Sequence, residues 1–136
     1  RGGDVMLGYY KDPEGTAEVV DAEGWFHTGD LARVDEDGYY FLTGRKKNVI
    51  ILGSGENVSP EELEKLLAPC AAIRECRVCE RNQRICAVVC CDPDQQDAVR
   101  DFVTKVNRTL PLYKHMMVEF SAQPLPRNAA GKLLRS

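Results

Sequence analysis

Four segments of the sequence carry side chains whose types suit the binding of phosphates, carboxylates or sugar hydroxyls. They are Asp30, the basic triplet Arg45-Lys46-Lys47, the small-residue loop Gly53-Ser54-Gly55, and Lys132. Considered one at a time, each has a simpler explanation, because aspartate and glycine are common turn residues and runs of charge usually lie on solvated surface. The glycine loop also lacks the G-x-x-x-x-G-K-[ST] spacing of a P-loop. No single segment therefore predicts a nucleotide site by itself.

Three motifs in a fixed order change that interpretation. The first is Gly24-Trp25-Phe26-His27-Thr28-Gly29-Asp30, which follows Gly8-Tyr9-Tyr10, Pro13-Glu14 and Thr16. The second joins Gly44-Arg45-Lys46-Lys47 to Gly55-Glu56-Asn57-Val58-Ser59-Pro60-Glu61-Glu62-Leu63-Glu64. The third is Pro124-Leu125-Pro126-Arg127-Asn128-Ala129-Ala130-Gly131-Lys132. Together they closely resemble the signatures of the adenylate-forming superfamily, which includes acyl-CoA synthetases, peptide-synthetase adenylation domains and luciferases. The resemblance covers nearly the whole chain.

The resemblance implies a role for each of three charged residues in the reaction of a carboxylic acid with ATP. Asp30 corresponds to a carboxylate that accepts hydrogen bonds from the ribose hydroxyls. Arg45 matches an arginine that approaches the nucleotide, where its fixed fork of donors suits sugar and phosphate oxygens. Lys132 matches the lysine that contacts the carboxylate and the α-phosphate, and it is the expected catalytic residue. Loss of one such cation typically costs on the order of 10²–10³ in rate.

The family carries out two half-reactions with one site, which implies roles for two further positions. The acid and ATP first give acyl-adenylate and pyrophosphate, with Mg²⁺ and ATP held mainly by a larger domain. The small domain then rotates about a hinge at Lys47, withdraws Lys132, and gives CoA access to the adenylate. Gly53, Ser54 and Gly55 match the loop that faces the pantetheine of CoA, where small residues permit a close approach of the backbone.

The elements that must position these residues change in character after residue 44. Residues 1–44 contain two short aromatic runs, Gly24–Phe26 and Gly38–Leu42, which are predicted to form short strands, with a hairpin turn at Asp35–Gly38 and no convincing helix. We interpret residues 1–44 as the β-rich edge of a larger domain that these residues alone do not form. Because the chain begins at Arg1 rather than at a methionine, we expect it to be a fragment of a longer protein.

Residues 45–136 predict an α+β fold, in which a small mixed or antiparallel sheet is covered by helices. A strand over Asn48–Leu52 leads to a helix with Ser59 as N-cap and Glu62 completing a capping box. Two antiparallel strands are predicted at Cys76–Cys79 and Ile85–Cys91, around a polar turn at residues 81–84. A second helix from Asp92 to Leu110 and a strand at Met117–Phe120 follow. The tail, Pro124–Ser136, is expected to be loop-like. We interpret residues 45–136 as the mobile C-terminal domain of the enzyme.

Composition excludes several other classes of protein. The net charge of -3 and the isoelectric point near 5.4 argue against a nucleic-acid partner, whose binding surface is basic. No apolar run approaches the roughly 20 residues needed to span a bilayer. We expect a cytoplasmic protein, because its cysteines are interpreted below as reduced thiols. Cys76 and Cys79 have C-x₂-C spacing, but no second pair follows and both histidines lie far away. We therefore predict no metal site and interpret the six cysteines as reduced thiols.

Finer assignments rest on the resemblance alone. The segment from Gly44 to Glu64 looks most like fatty-acyl-CoA ligases of the medium- or long-chain type, whose substrates are a carboxylic acid, ATP and CoA. The acyl pocket and the phosphate-binding loop would lie in the larger domain, so the isolated chain is predicted to be inactive. Two alternatives remain. The parent enzyme could load an acyl carrier protein or activate an amino acid, or the chain could be a standalone binding or regulatory module of the same fold.

Overall fold

A computed structural model describes residues 1–134 of this chain. The chain divides into two units, Arg1–Leu42 and a second that begins at Thr43. This boundary lies two residues before the one we expect at residues 44 and 45, and the assignment of the two parts to enzyme domains stays a prediction. Each unit is described separately below.

The second unit is built around a three-stranded sheet. Its strands are β5 (Glu75–Arg81), β6 (Arg84–Cys90) and β7 (Met116–Ser121), in that spatial order. β5 and β6 run antiparallel, whereas β6 and β7 run parallel. The parallel pair requires a crossover connection, which helix α3 (Gln96–Asn107) supplies. The predicted small mixed sheet covered by helices is confirmed.

The two faces of this sheet differ because side chains alternate along each strand. The inner face carries buried apolar residues, namely Val78, Ile85, Ala87, Val89 and Met116. Helix α2 (Pro60–Leu67) and α3 cover that face with Leu63, Leu67, Val99 and Val103. The outer face carries the odd-numbered residues of β5, among them Glu75 and Arg77, and the even-numbered residues of β6.

The connection between β5 and β6 fixes which residues face outward. Asn82 and Gln83 both have positive φ, +51° and +62°, as a two-residue type I′ hairpin turn requires. The register that follows pairs Arg81 with Arg84 and Glu75 with Cys90. The polar turn expected at these residues is therefore present.

A second, two-stranded sheet lies at the start of this unit. β3 (Ile50–Ile51) pairs antiparallel with β4 (Asn57–Val58). The strand predicted over Asn48–Leu52 is shorter than expected, since Lys46–Asn48 form a 3₁₀ turn. The Asn48 side-chain amide donates to Glu61 Oε1 of α2 at 2.5 Å. The local β propensity of the sequence could not predict this contact, which lies outside the strand.

The predicted capping box at the start of α2 is wrong. Ser59 does occupy the N-cap position, but its side chain makes no capping hydrogen bond to the helix. Its hydroxyl donates instead to the Thr43 carbonyl at 2.9 Å. Glu62 forms an ion pair with Lys114 at 3.4 Å. Partners distant in sequence have therefore replaced the local ones.

The first unit contains one hairpin and one short helix. β1 (Asp30–Val34) and β2 (Tyr40–Arg45, which continues past the unit boundary) form a two-stranded sheet around the predicted hairpin turn. β2 overlaps the strand predicted at Gly38–Leu42, whereas no strand was predicted at β1. Asp35 Oδ1 stabilises the turn by accepting from the N–H groups of Asp37 and Tyr39 at 3.1 and 2.9 Å. No side chain from Arg1 to Leu42 is buried, so these residues form no core of their own.

Two expectations for this unit are wrong. Helix α1 (Pro13–Val19) is present where no helix was expected, because Asp12 caps it through Gly15 N at 2.9 Å and Pro13 opens its first turn. Gly24–Phe26 is not a strand. Asp21 Oδ1 accepts from the Trp25 N–H at 2.9 Å and holds the segment in a turn, and only Phe26 makes a single bridge, to Val20.

Candidate active site on the outer face of the sheet

The segment that carries Lys132 is a short hairpin rather than the expected loop. Arg127 and Leu133 form a bridge, and the Asn128 N–H donates to the Lys132 carbonyl at 2.8 Å. Gly131 at the turn has φ +77°, a conformation that glycine adopts without steric cost. Asn128 Oδ1 also accepts from the Ala130 and Lys132 N–H groups at 3.0 and 2.9 Å. The backbone on both sides of Lys132 is therefore fixed.

This tail hairpin, residues 125–134, is anchored on the outer face of the three-stranded sheet. Leu125 is only 5% exposed and packs in a cluster with Cys86 and Val88, which Leu133 joins from the same hairpin. At the end of the second arm of the hairpin, Arg77 Nη1 donates to the Leu134 carbonyl at 2.6 Å. The two arms of the hairpin are thus both held on the sheet, and Lys132 directly follows the turn that joins them.

One cavity brings together three of the predicted site residues. It has a volume of about 710 Å³ and is lined by Arg45, Lys47, Asn48, Arg127, Asn128, Lys132, Leu133 and Leu134. Four of these residues are cationic and, within residues 1–134, none of the lining residues is acidic. A space with this lining favours anionic ligands such as phosphates and carboxylates.

The four cations differ in their partners. Arg127 Nη2 forms an ion pair with Glu75 Oε1 at 2.6 Å. This guanidinium, together with a hydrogen bond from the Leu125 N–H, holds the pKa of the Glu75 carboxyl below its usual value. The ammonium groups of Lys47 and Lys132 make no hydrogen bond or ion pair to residues 1–134. These two lysines are available to an anion in the cavity.

The glycine loop lines a different cavity. That space, of about 330 Å³, is bounded by Ser54 and by residues such as Tyr113, His115 and Met117. Gly55 has φ +93°, a conformation that favours glycine. A Cβ on Gly53 would meet only the end of the exposed Gln83 side chain. No lining residue is shared by the two cavities, and the structure does not bring the Gly53–Gly55 loop to Lys132.

Asp30 belongs to the first unit, where it is the first residue of β1 and is half-buried. Its N–H donates to Thr28 Oγ1 at 3.1 Å. Sequence reasoning missed two residues that hold Lys132. Arg127 lies within the third motif and could have been singled out there, whereas Glu75 gave no signal, because it is 52 residues from its partner.

The structure also shows the state of the cysteines and allows a search for metal ligands and for membrane-spanning helices. All six cysteines are free thiols, and burial, with smaller effects from Cys79 and Glu119, raises the pKa of the Cys86 thiol to about 11. Within residues 1–134, no three histidine, cysteine or acidic side chains are grouped as metal ligands would be. No helix in this part of the chain combines the length and apolar character needed to cross a membrane.

Comparison with proteins of known sequence finds many relatives, although no family model matches. The chain is 38% identical over 140 residues to the medium-chain fatty-acid–CoA ligase of Escherichia coli K12, with 98% of the chain covered. It is equally similar, at 38% over 140 residues and 98% coverage, to the 2-methylpropanoate–CoA ligase CCL4 of Humulus lupulus. The chain spans about a quarter of the length of these relatives.

Comparison with solved structures also finds adenylation domains and CoA synthetases. The adenylation domain of a carboxylic acid reductase from Segniliparus rugosus, in complex with AMP and a carboxylic acid, matches 99% of this chain with a TM-score of 0.83 and 29% identity. O-succinylbenzoate CoA synthetase from Bacillus subtilis, in complex with AMP, matches 99% with a TM-score of 0.80 and 29% identity. The chain covers 24% and 28% of these two structures. Over nearly its whole length, the chain therefore belongs to the adenylate-forming family of acyl-activating enzymes and corresponds to the C-terminal part of its members.

Proposed function

We propose that this chain is the C-terminal part of an ATP-dependent ligase that converts a carboxylic acid to acyl-AMP and then to its CoA thioester. The observation that carries this proposal is the cationic cavity. It joins Arg45 and Lys47 of the second motif to Lys132 of the third. Both substrates of the first half-reaction, the carboxylate and ATP, are anions that such a lining would attract.

Lys132 is the catalytic residue in this proposal. In the first half-reaction a carboxylate oxygen attacks the α-phosphorus, a new P–O bond forms, and pyrophosphate leaves with the electrons of the broken bond. Two anions must approach each other, and an ammonium group between them lowers the energy of that approach. Arg45 supplies a fixed fork of donors for nucleotide oxygens. Mg²⁺ would enter with ATP and be held mainly outside this chain.

The second half-reaction requires that Lys132 leave and CoA enter. Because the tail hairpin is anchored on the sheet, we infer that Lys132 moves with its whole domain and not as a flexible loop. Lys47, in the 3₁₀ turn after β2, is the proposed hinge. The loop Gly53-Ser54-Gly55 borders a separate cavity, and a rotation that exchanges the two cavities would direct this loop toward the pantetheine of CoA.

Residues 1–44 are proposed to be the edge of the larger adenylation domain, and residues 45–136 the mobile domain. The support is that no side chain is buried between Arg1 and Leu42, while large aromatic side chains there are exposed, including Trp25, Tyr39 and Tyr40. Exposed aromatic surface of this kind is normally covered by other parts of a protein. Asp30 would bind the ribose of ATP from this edge. We further propose a cytoplasmic location, where free thiols persist.

The acyl substrate is proposed to be a medium- or long-chain fatty acid, on the resemblance of residues 44–64. One relative of equal identity is named for 2-methylpropanoate, a short branched acid, so the acyl substrate has to be determined by direct assay. The full-length enzyme should show its highest kcat/KM with octanoate or palmitate. A preference for 2-methylpropanoate would contradict the fatty-acid assignment and leave the ligase assignment intact. Thioester assays with free CoA and with an acyl carrier protein would identify the acceptor.

The central test is Lys132→Ala in the full-length enzyme. Formation of acyl-AMP, measured by pyrophosphate release, should fall by about 10²–10³-fold, whereas thioester formation from supplied acyl-adenylate should largely survive. Lys105→Ala, at an exposed position of α3, is the matched control and should leave both rates unchanged. Equal loss of both half-reactions would remove Lys132 from this role.

A second test concerns the chain by itself. The isolated chain should form no acyl-AMP, because the proposed phosphate-binding loop and acyl pocket lie elsewhere in the enzyme. Measurable pyrophosphate release by this chain alone, abolished by Lys132→Ala, would contradict the division of the site between two domains.

A further inference from the structure

We propose that Glu75 is a positioning residue for Lys132, acting through Arg127 on the peptide group that joins Gly131 to Lys132. The inference rests on the proposed function of Lys132, and it adds to that function a residue from a distant strand. Glu75 lies on β5, while the two residues that it would control lie in the tail hairpin.

The peptide group before Lys132 is held by two side chains. Arg127 Nη1 donates to the Gly131 carbonyl at 2.8 Å, and Asn128 Oδ1 accepts from the Lys132 N–H at 2.9 Å. Because a peptide group is planar, bonds to its C=O and its N–H together fix the orientation of the plane. That plane includes the Lys132 Cα, and the carbonyl on the other side of this atom accepts from the Asn128 N–H at 2.8 Å. Because both peptide groups that flank the Cα are held, the direction in which the lysine side chain leaves the backbone is set.

Arg127 can hold this carbonyl only if its own guanidinium is fixed. Its side chain is 46% exposed, and an exposed arginine samples many rotamers. Glu75 Oε1 accepts from Nη2 at 2.6 Å, while Nη1 binds Gly131. Both terminal nitrogens are therefore engaged within the protein, and the arginine acts on the backbone of the hairpin.

Glu75 is well placed to provide this anchor. It lies in a paired strand, opposite Cys90, and its side chain is only 21% exposed. Its second oxygen, Oε2, accepts from the Leu125 N–H at 2.8 Å. One carboxylate thus binds the first residue of the hairpin and, through Arg127, the residue before the lysine. Charge-assisted bonds of this kind are shorter and stronger than neutral ones.

The test is Glu75→Gln in the full-length enzyme, which keeps the shape of the side chain and removes its charge. We expect kcat for acyl-AMP formation to fall about 10- to 100-fold, since a displacement of about 1 Å in a reacting group can cost 10²-fold. KM for ATP should change little, and thioester formation from supplied acyl-adenylate should be unchanged. Glu119→Gln is the matched control, because Glu119 also lies on the outer face but pairs with Arg81.

A double-mutant cycle separates positioning from a general structural role. If Glu75 acts through Arg127, Glu75→Gln should have no further effect on kcat in an Arg127→Ala background or in a Lys132→Ala background. Additive losses in either background, or equal losses in both half-reactions, would overturn the proposal. Thermal unfolding of each variant would identify any that fail to fold, and Glu75→Asp, which keeps the charge, should recover part of the rate in a folded protein.

The cycle also distinguishes this proposal from the one on which it rests. If Lys132→Ala leaves acyl-AMP formation intact, the proposed function of the lysine fails first. If Lys132→Ala abolishes that step while Glu75→Gln has the full wild-type rate, the lysine keeps its role and the positioning by Glu75 is refuted.

Discussion

Replacement of Leu125 by alanine should detach the tail hairpin while the core of the second unit stays folded. Leu125 is 5% exposed and belongs to a small cluster with Cys86 and Val88 on the outer face of the sheet. The main core, which contains Leu63 and Val89, lies on the opposite face and shares no buried residue with this cluster. The loss of packing should therefore be felt mainly by the hairpin.

The magnitude follows from the atoms removed. Leucine to alanine deletes three buried carbon groups, each contributing about 0.8 kcal/mol, so the hairpin should lose about 2–3 kcal/mol of its docking free energy. Because 1.4 kcal/mol corresponds to a factor of ten in an equilibrium constant, the population of the detached hairpin should rise about 30- to 140-fold.

Hydrogen exchange at individual amides measures this population directly. The Gly131, Lys132 and Leu134 N–H groups all donate within the hairpin, and their exchange should accelerate by that factor. Amides in the middle of β6 should change much less. Leu66→Ala, on the exposed side of α2 at 42% exposure, removes the same atoms and should leave the hairpin amides unaffected.

Two results would refute this reasoning. Equal acceleration in the hairpin and in β6 would mean that the two open together as one cooperative unit. Unchanged exchange at Lys132 and Leu134, in a variant shown to carry Leu125→Ala, would mean that the leucine does not anchor the hairpin.

Three further predictions concern other positions. Iodoacetamide at pH 8 should leave Cys86 unlabelled in the folded chain and label it after denaturation, as measured by mass spectrometry. The reason is that a pKa of about 11 leaves about one thiol in a thousand ionised at this pH. Rapid labelling of Cys86 in the folded protein would contradict its burial. Gly44→Ala should lower the free energy of unfolding in urea by about 1–3 kcal/mol, since its Cβ would overlap Ser59 Oγ, whereas Gly3→Ala, with open space around it, should not. The pKa of the Glu75 carboxyl is lowered in the folded state. Its contribution to hairpin docking is therefore present above the ordinary glutamate pKa of about 4.3 and is lost as the pH falls through the lower folded value. The exchange rates of the hairpin amides, corrected for their intrinsic pH dependence, should rise on acidification, and Glu75→Gln should abolish that rise.

The sequence predicts the elements with strong periodicity and misses those that depend on distant partners. The sequence predicts helices α2 and α3 and the three strands of the larger sheet, because the spacing of apolar residues along each element indicates which face is buried. Helix α1 was missed, since its short span contains glycine and threonine, both poor helix formers, and depends on the cap at Asp12. The capping box at Ser59 failed because the Thr43 carbonyl, 16 residues away, takes the serine hydroxyl.

The same limit applies to the candidate site. Arg45, Lys47 and Lys132 could be singled out by resemblance, and the structure brings them to one cavity. Glu75 could not be found in this way, because no local pattern distinguishes it from other glutamates in strands. Its importance lies in two contacts, to Leu125 and Arg127, that exist only after the sheet has formed.

The type I′ turn at Asn82 and Gln83 has a consequence for how the backbone around Lys132 becomes ordered during folding. A slip of one residue in the pairing of β5 with β6 would turn Glu75 and Arg77 to the opposite face, where they could not hold the tail. Contacts across 52 and 57 residues also form late, because long loops must close before they are made. A misregistered chain would therefore retain much of its secondary structure yet lack an ordered Lys132. In this fold, an ordered Lys132 therefore depends on strand pairing that is already correct.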